Sequence, residues 1–531
     1  MKEVNRGFIE GPFASREEVK TSLATDKVCV TRRFVILQSS GAEVKPRVID
    51  DAKESGLNSA YTALEWLKLH DFDHIASIAS LISSIYGRDG SIGIAGPDGK
   101  TVKSDIHSNL KKFPSWVGRC LDLSKAYKQV PIDADSRALI VLMAPSPESK
   151  QPMFFTTASM PFGCASSVFA FNRITRSILH LFHKLLNLVS GVFYDDFVLL
   201  EPQHTSTLAS MAAENLLDAL GWAFAKEGAK ASGFNASFNL LGAQLNLSWL
   251  AEGRIEVSNK EGRVDKLLKL LEDVSDAGFI SRHMAQSIQG LLNYASGFFL
   301  GNSLKLPSRA FANIISKPSC ASGEDLKKLC SFTSSILKQS KPRTWGCWES
   351  GEPVIVFTDG SFEDDRGLWG SVVIDMQSGN KSVHWGEVPE RLVSVWKKLA
   401  GEQVICQIEA FAVLLTRYHY RNIWERRKVL IFIDNEPSRH TLIKGSSPSI
   451  SMLLIAQAFN EVDVNFPAAC WFDRVPSASN IADLPSRGKQ IEAAKMIGAT
   501  LEGDITLPDV FISKLCDSQG IPLRIFSSTS D

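Results

Sequence analysis

Two adjacent acids, Asp195 and Asp196, stand between apolar arms, Val192-Phe193 before them and Phe197-Val198-Leu199-Leu200 after them. Such arms suit the interior of a sheet, whereas an ionised carboxylate does not unless it is paired. The pattern therefore predicts a β-hairpin with the acids at its turn. A third acid, Asp122, lies in the strand-like stretch 116–123, ahead of Leu-Ser-Lys-Ala-Tyr. If that strand neighbours the hairpin in one sheet, carboxylates from both converge at one edge. Hard divalent cations take carboxylate oxygens. Two such ions about 4 Å apart serve nucleotidyl transfer, one activating the attacking hydroxyl and one holding the triphosphate and leaving group.

Along the chain, residues 33–38 (RFVILQ) read as a strand and turn, residues 59–70 (Leu64, Trp66, Leu67, Leu69) as a helix, and residues 138–143 as a strand. Residues 165–189 carry Phe169, Ile174, Ile178, Leu181 and Leu185 at helical spacing, which predicts a long amphipathic helix ended by Gly191. After the hairpin come a helix over 205–220, a strand near 222–226 and a strand over 238–247. The following segment is helical by pattern, as in VDKLLKLLEDV and MAQSIQGLLNYA, and ends in Ser-, Lys- and Pro-rich stretches. The last third restarts with three strands (VIVFTD, GLWGSVVIDM, SVHWGEV), a helix around 408–417 and the strand VLIFID. That succession is an α/β unit with its own core.

A length of 531 residues exceeds what one core supports, and a hydrophobic fraction of 44% is that of a globular chain. The nearest approach to a membrane span, residues 178–189, is interrupted by His180, His183 and Lys184. The N-terminal MKEVNRGFIEGPF has no apolar core of a secretory signal, so an intracellular place, cytoplasm or nucleus, is expected. The nine cysteines are scattered singly with no zinc-finger spacing, and read as reduced thiols. Formal net charge is zero, so nucleic-acid contact falls to local basic surface such as Lys27, Arg32, Arg33, Lys45, Arg47 and Lys53, a run that otherwise reads as a solvated face.

Six segments in order resemble the palm and fingers motifs of reverse transcriptases. CLDLSKAYKQVPID is similar to motif A, which implies Asp122 as a metal ligand, Leu123 as a nucleotide-binding residue and Tyr127 as the residue that excludes a ribose 2′-hydroxyl. SMPFGCASSVFAFNR is similar to motif B, which implies that Phe162 and Gly163 lie against the incoming nucleotide and template. FYDDF resembles the Y-x-D-D box, with Phe193 in place of the usual Tyr. LGWAFAKEGAK and FNLLGAQL resemble motifs D and E, Lys230 being the motif D lysine, and KPRVIDD resembles the fingers segment whose arginine, Arg47, contacts the triphosphate. A fingers lysine found in some retroviral enzymes is replaced here by Gln38 or nearby serines.

A second acid set follows: Asp359 in FTDGS, Glu409 in IEAFAVLL, Asp434 in FIDNE and Asp483 in SNIAD. Four carboxylates suit two Mg²⁺ ions and an activated water. The set resembles that of ribonuclease H. A loop His common in that family is missing from WFDRVPSASNIAD, where Asp473 reads as a surface charge in preference to a substitute proton carrier.

The whole order over about residues 32–488 resembles DIRS-like retrotransposon polyproteins. The resemblance implies a multidomain α+β and α/β chain: fingers and palm of a right-hand polymerase over 1–247, a helical thumb or connection over 248–345, a ribonuclease H-like α/β domain over 350–490, and a tail over 491–531 with no readable motif. It implies an RNA-directed DNA polymerase with a hybrid ribonuclease, using two Mg²⁺ per site (Mn²⁺ the alternative). Its partners would be an RNA template, a DNA or RNA primer, the RNA–DNA hybrid and deoxynucleoside triphosphates. The competing readings are a domesticated copy that binds nucleic acid without catalysis, and an active nuclease beside a dead palm. The presence of all seven acids argues against the non-catalytic copy and favours the active polymerase with its nuclease.

Overall fold

The computed structural model describes residues 3–40, 43–86, 91–95, 99–228, 231–321, 323–346, 351–517 and 525. The chain divides into two compact units, Met1–Leu241 with Leu245–Ala251, and Gly242–Gln244 with Glu252–Asp531. None of the described helices is long and apolar enough to cross a membrane.

The first unit opens with β1 (Ile9–Phe13), α1 (Arg16–Leu23), β2 (Val30–Ser40), β3 (Glu43–Asp50), α2 (Phe72–Tyr86), β4 (Ser91–Ala95), β5 (Thr101–Asp105) and α3 (Ser108–Lys112). It continues through β6 (Trp116–Asp122), α4 (Ala134–Arg137), β7 (Val141–Pro145), β8 (Pro152–Thr157) and α5 (Ala165–Leu186). Then come β9 (Val189–Phe193), β10 (Asp196–Pro202), α6 (Ser206–Ala219) and β11 (Ser237–Leu240). Its two larger sheets are ordered β1-β8-β7-β2-β3 and β6-β10-β9, and β4 and β5 pair in a two-stranded one. The apolar arm after the acid pair, in β10, is the centre of the three-stranded sheet, and the arm before it, in β9, lies at its edge. Phe197, Leu199 and Val192 pack with Leu121 against Phe171, Ile178 and Phe182 of α5. Each fully buried aromatic or aliphatic side chain contributes about 1.5–3 kcal/mol relative to exposure.

Four expectations need correction. Residues 59–70 are turns and extended chain, not a helix, with Leu64 95% and Trp66 91% exposed. Ala60, Ala63, Leu64 and Leu67 recur at helical spacing but find no core to pack on, and the helix comes later as α2, whose Ile75, Ala76, Ala79 and Ser83 form one buried stripe. The long helix ends at Leu186 on a left-handed Asn187, and Gly191 sits inside β9, where a Cβ would press on Ile75. Around 222–226 the chain makes only a bridge, Leu123 to Phe224. The strand expected over 238–247 is two, β11 and β12 (Ala243–Asn246), turning through left-handed Leu241 and Gly242.

The second unit runs β13 (Arg254–Asn259), α7 (Arg263–Ala277), α8 (Arg282–Ser296), α9 (Lys305–Ser316), α10 (Gly323–Gln339), β14 (Arg343–Gly346), β15 (Val354–Glu363), β16 (Arg366–Asp375) and β17 (Lys381–Glu387). It goes on through α11 (Glu390–Ala400), α12 (Ile405–His419), β18 (Lys428–Ile433), α13 (Glu436–Lys444), α14 (Ile450–Asn465) and β19 (Ala469–Arg474). The last elements are α15 (Asp483–Ser486), α16 (Gln490–Ile497), β20 (Thr500–Gly503) and α17 (Asp509–Cys516). Six strands form one sheet in the order β19-β18-β15-β16-β17-β20. β15 runs antiparallel to β16 and parallel to β18. α12 is buried along its length because it crosses this sheet, and one continuous core joins it to Leu267, Leu271, Ile288 and Phe311 of the helical segment. The stretch after residue 490, unreadable in sequence, supplies an edge strand and a packed helix.

Candidate active sites

In the three-stranded sheet of the first unit, β10 lies between β6 and β9, antiparallel to both. Asp196 opens β10 and is the register partner of Asp122 at the end of β6. Partners across antiparallel strands project to the same face with Cβ atoms about 5 Å apart. Asp195 occupies the two-residue turn with Tyr194, which is left-handed at φ 52°. Its carbonyl accepts the Leu123 N–H at 3.1 Å and so stitches the hairpin to the residue after Asp122. Only Asp195 is in the turn proper; Asp196 belongs to the strand. Burial, reinforced by the charges of Asp196, Asp122 and Asp195, pushes the Cys120 thiol up, and that thiol is hydrogen-bonded to Asp196.

Tyr127 lies beside this centre. Burial, then Tyr194 and Asp195, raise its phenol to about 12, so it stays neutral. Its ring stacks on Phe171 at 4.5 Å and leans on Phe162 at 4.7 Å. Phe162 is 46% exposed, held there by Gly163 at φ 87°, where a Cβ would fall 2.4 Å from the Asp50 carbonyl oxygen. Leu123 is buried. Arg47 is exposed on β3, opposite Ile36 of β2. Lys230 and the side chain of Gln38 lie outside the described residues.

In the second unit, ligand atoms of Asp359, Glu409 and Asp434 lie within 4.8 Å of one another. Asp359 sits within β15, Asp434 directly follows β18, and Glu409 comes from α12. Gly360 allows the meeting: a Cβ there would stand 2.7 Å from Ile408 Cγ2 and 3.1 Å from Glu409 Cγ. Burial is the main cause that raises Asp359 to about 6 and Glu409 to about 10, and the neighbouring acids add to both. Glu409 Oε2 and Asp434 Oδ1 are enclosed without a hydrogen-bond partner. A divalent cation is the partner such oxygens fit. Asp483, the fourth expected acid, is not in this cluster; it is 40% exposed and accepts from Arg487 Nε at 2.7 Å. Asp473 is exposed on β19 and its carboxylate accepts the Arg474 N–H at 2.8 Å, in keeping with a surface charge.

Residues 70–244 match the family model described as reverse transcriptase (RNA-dependent DNA polymerase). This segment is a reverse transcriptase domain. A comparison with curated proteins found no match. The reverse transcriptase domain takes in Asp122, Leu123, Tyr127, Phe162, Gly163, Asp195, Asp196 and Lys230, whereas Arg47 precedes it and the second acid set follows it.

Several positioning residues escaped the sequence reading. Asn58 donates to the Gly163 carbonyl at 3.0 Å and accepts from Ala165 N at 2.8 Å, pinning the turn that bears Phe162. Inside the reverse transcriptase domain, the Gln129 amide donates to the carbonyls of Ser124 and Ala223 and accepts from Ala223 N, bracing the loop after Asp122. In the second unit, Ser486 donates to Asp359, and Asn480 donates to the Thr358 carbonyl at 3.0 Å. Their partners lie far away in sequence, so no local pattern marks them. The one available signal was their place inside the SNIADLPSRG stretch for the last two.

Proposed function

We propose that this chain is the RNA-directed DNA polymerase of a retrotransposon, working by two-metal nucleotidyl transfer, with a C-terminal nuclease that cuts the RNA strand of an RNA–DNA hybrid. The supporting observation is the register of Asp122 against Asp196, with Asp195 tied to Leu123, inside the reverse transcriptase domain. Asp122, Asp195 and Asp196 would hold the divalent cations, Mg²⁺ by preference for hard oxygen donors and Mn²⁺ as the alternative. Such ions lower the pKa of a primer 3′-hydroxyl and offset triphosphate charge. Tyr127, fixed between Phe162 and Phe171, blocks a 2′-hydroxyl. Phe162 and Gly163 face the nucleotide and template, Arg47 meets the triphosphate, and Lys230 serves as the motif D lysine.

Residues 1–247 are read as fingers and palm, 248–345 as thumb or connection and 350–490 as a ribonuclease H-like domain. The clustering of Asp359, Glu409 and Asp434 supports hydrolysis in the last, with Asp483 joining from the rim once it leaves Arg487. Template, primer and hybrid are gripped through phosphates and A-like shape, which carry no sequence preference. The motif order favours a DIRS-like element.

Primer extension on an RNA template with Mg²⁺ separates this reading from a non-catalytic binder. Asp195→Asn should lose roughly 10²–10³-fold or more in rate; equal incorporation by both proteins would sink the polymerase. Cleavage of a labelled hybrid should fall likewise in Asp434→Asn, and hybrid cleavage that survives that change would remove the nuclease assignment.

A further inference from the structure

Away from the three clustered acids, the second unit gathers another set of ligand-type side chains. His384 of β17, His419 at the end of α12 and Glu502 of β20 each place a ligand atom within 4.8 Å of the others. His419 is ten residues beyond Glu409 on the same helix, which separates them by about 15 Å at 1.5 Å rise per residue. This group is therefore distinct from the Asp359 cluster.

The local backbone is built for the meeting. β20 pairs with β17 in parallel through Ser382–Thr500 and Val383–Leu501, and the register then shifts so that His384 faces Gly503. The shift leaves Glu502 out of the ladder, and irregularities of this kind re-aim a side chain. Glu502 Oε2 consequently stands 3.7 Å from His384 Nε2. His384 is fully buried, while Glu502 is 46% exposed and His419 is exposed, so the group opens to solvent on one side. Tyr420 holds the His384 ring in place: its hydroxyl contacts Nε2 at 2.8 Å and Ser382 Oγ at 2.7 Å, and its own ring stacks on Trp424 at 4.9 Å.

We propose that His384, His419 and Glu502 form a binding site for a divalent transition metal of the zinc class, which fastens the edge strand β20 to β17 and to the end of α12. Two imidazoles and one carboxylate are the borderline donor set that Zn²⁺ accepts, and the fourth position is left to water. Ligand atoms in a tetrahedral site with arms of about 2.0–2.1 Å stand closer than those here, so the two exposed side chains swing inward on binding. The metal displaces the Tyr420 hydroxyl from His384 Nε2, and that hydroxyl keeps Ser382. Burial, with His419 next to it, holds His384 down at about 4, so it is already a neutral ligand at pH 7.

The test uses the whole chain, stripped of metal, with Co²⁺ as the spectroscopic probe and Zn²⁺ as its competitor. One equivalent of Co²⁺ should produce the strong visible absorption of a four-coordinate site, and Zn²⁺ should abolish it. Zn²⁺ at a hundredfold excess over its dissociation constant should raise the melting temperature of the second unit by roughly 5 °C. His419→Ala and Glu502→Gln, both at exposed positions, should each remove absorption and shift while leaving the circular dichroism unchanged. Asp434→Asn, which disables the acid cluster, should keep both. Absence of the band in the parent chain, its persistence in the two variants, or its loss in Asp434→Asn would each overturn the proposal.

Discussion

Asn58 holds Gly163 and Ala165 through one amide, so its loss acts on the turn that carries Phe162, the proposed nucleotide contact, and not on the acids. Asn58→Ala removes two hydrogen bonds at a half-buried site, about 1–2 kcal/mol. The expected result is a severalfold higher KM for deoxynucleotides with a much smaller change in kcat, read from steady-state primer extension. Asp375 offers a test by pH. It accepts both Arg427 nitrogens at 2.8 Å, and those bonds, ahead of the Gln377 and Ser378 N–H groups, hold its carboxyl well below the usual carboxylate range. A carboxyl depressed in the folded state adds stability above its unfolded pKa near 4 and loses it as pH falls toward the folded value. Asp375→Asn should therefore melt lower than the parent by about 1–2 kcal/mol at pH 7, and the gap should close on acidification below pH of about 4. The chemistry-bearing acids were legible because charge among apolar neighbours is conspicuous. Asn58 and Asn480 were not, since their partners lie more than a hundred residues away and an amide side chain reads locally as a turn residue.

At the scale of elements, the approach of α12 to β15 decides whether Glu409 meets Asp359. Gly360→Ala puts a methyl group 2.7 Å from Ile408 Cγ2, and overpacking of this kind costs about 1–3 kcal/mol. Hybrid cleavage should drop by far more than the melting temperature suggests, while primer extension is retained; equal loss of both activities would argue for general misfolding. Strong periodicity made α5, α7 and α8 readable, and alternation did the same for β15 to β17. The stretch 59–70 misled because Leu64 and Trp66 are apolar yet exposed. Weak signals also hid β20, four residues whose place in the sheet comes from pairing with β17 and not from its own sequence.

Across the molecule, the division falls near residue 250, and the helices of 263–339 share one core with the six-stranded sheet. Leu271→Ala, a fully buried position on α7, should cost about 2–5 kcal/mol. Because the core is continuous, hydrogen exchange in β15 should speed up along with that in α7, and protection of β6 and β10 should stay as it was. The order of strands has a further result in time. Asp122 and Asp196 are paired within a unit whose last residue is Ala251, whereas the six-stranded sheet needs β20 at residues 500–503 to complete its edge. Chains emerge from the ribosome at about 5–20 residues per second and fold unit by unit. Asp122 and Asp196 can thus be brought together on the order of tens of seconds before the second sheet closes, so a nascent chain would carry a formed reverse transcriptase domain well before the six-stranded unit exists.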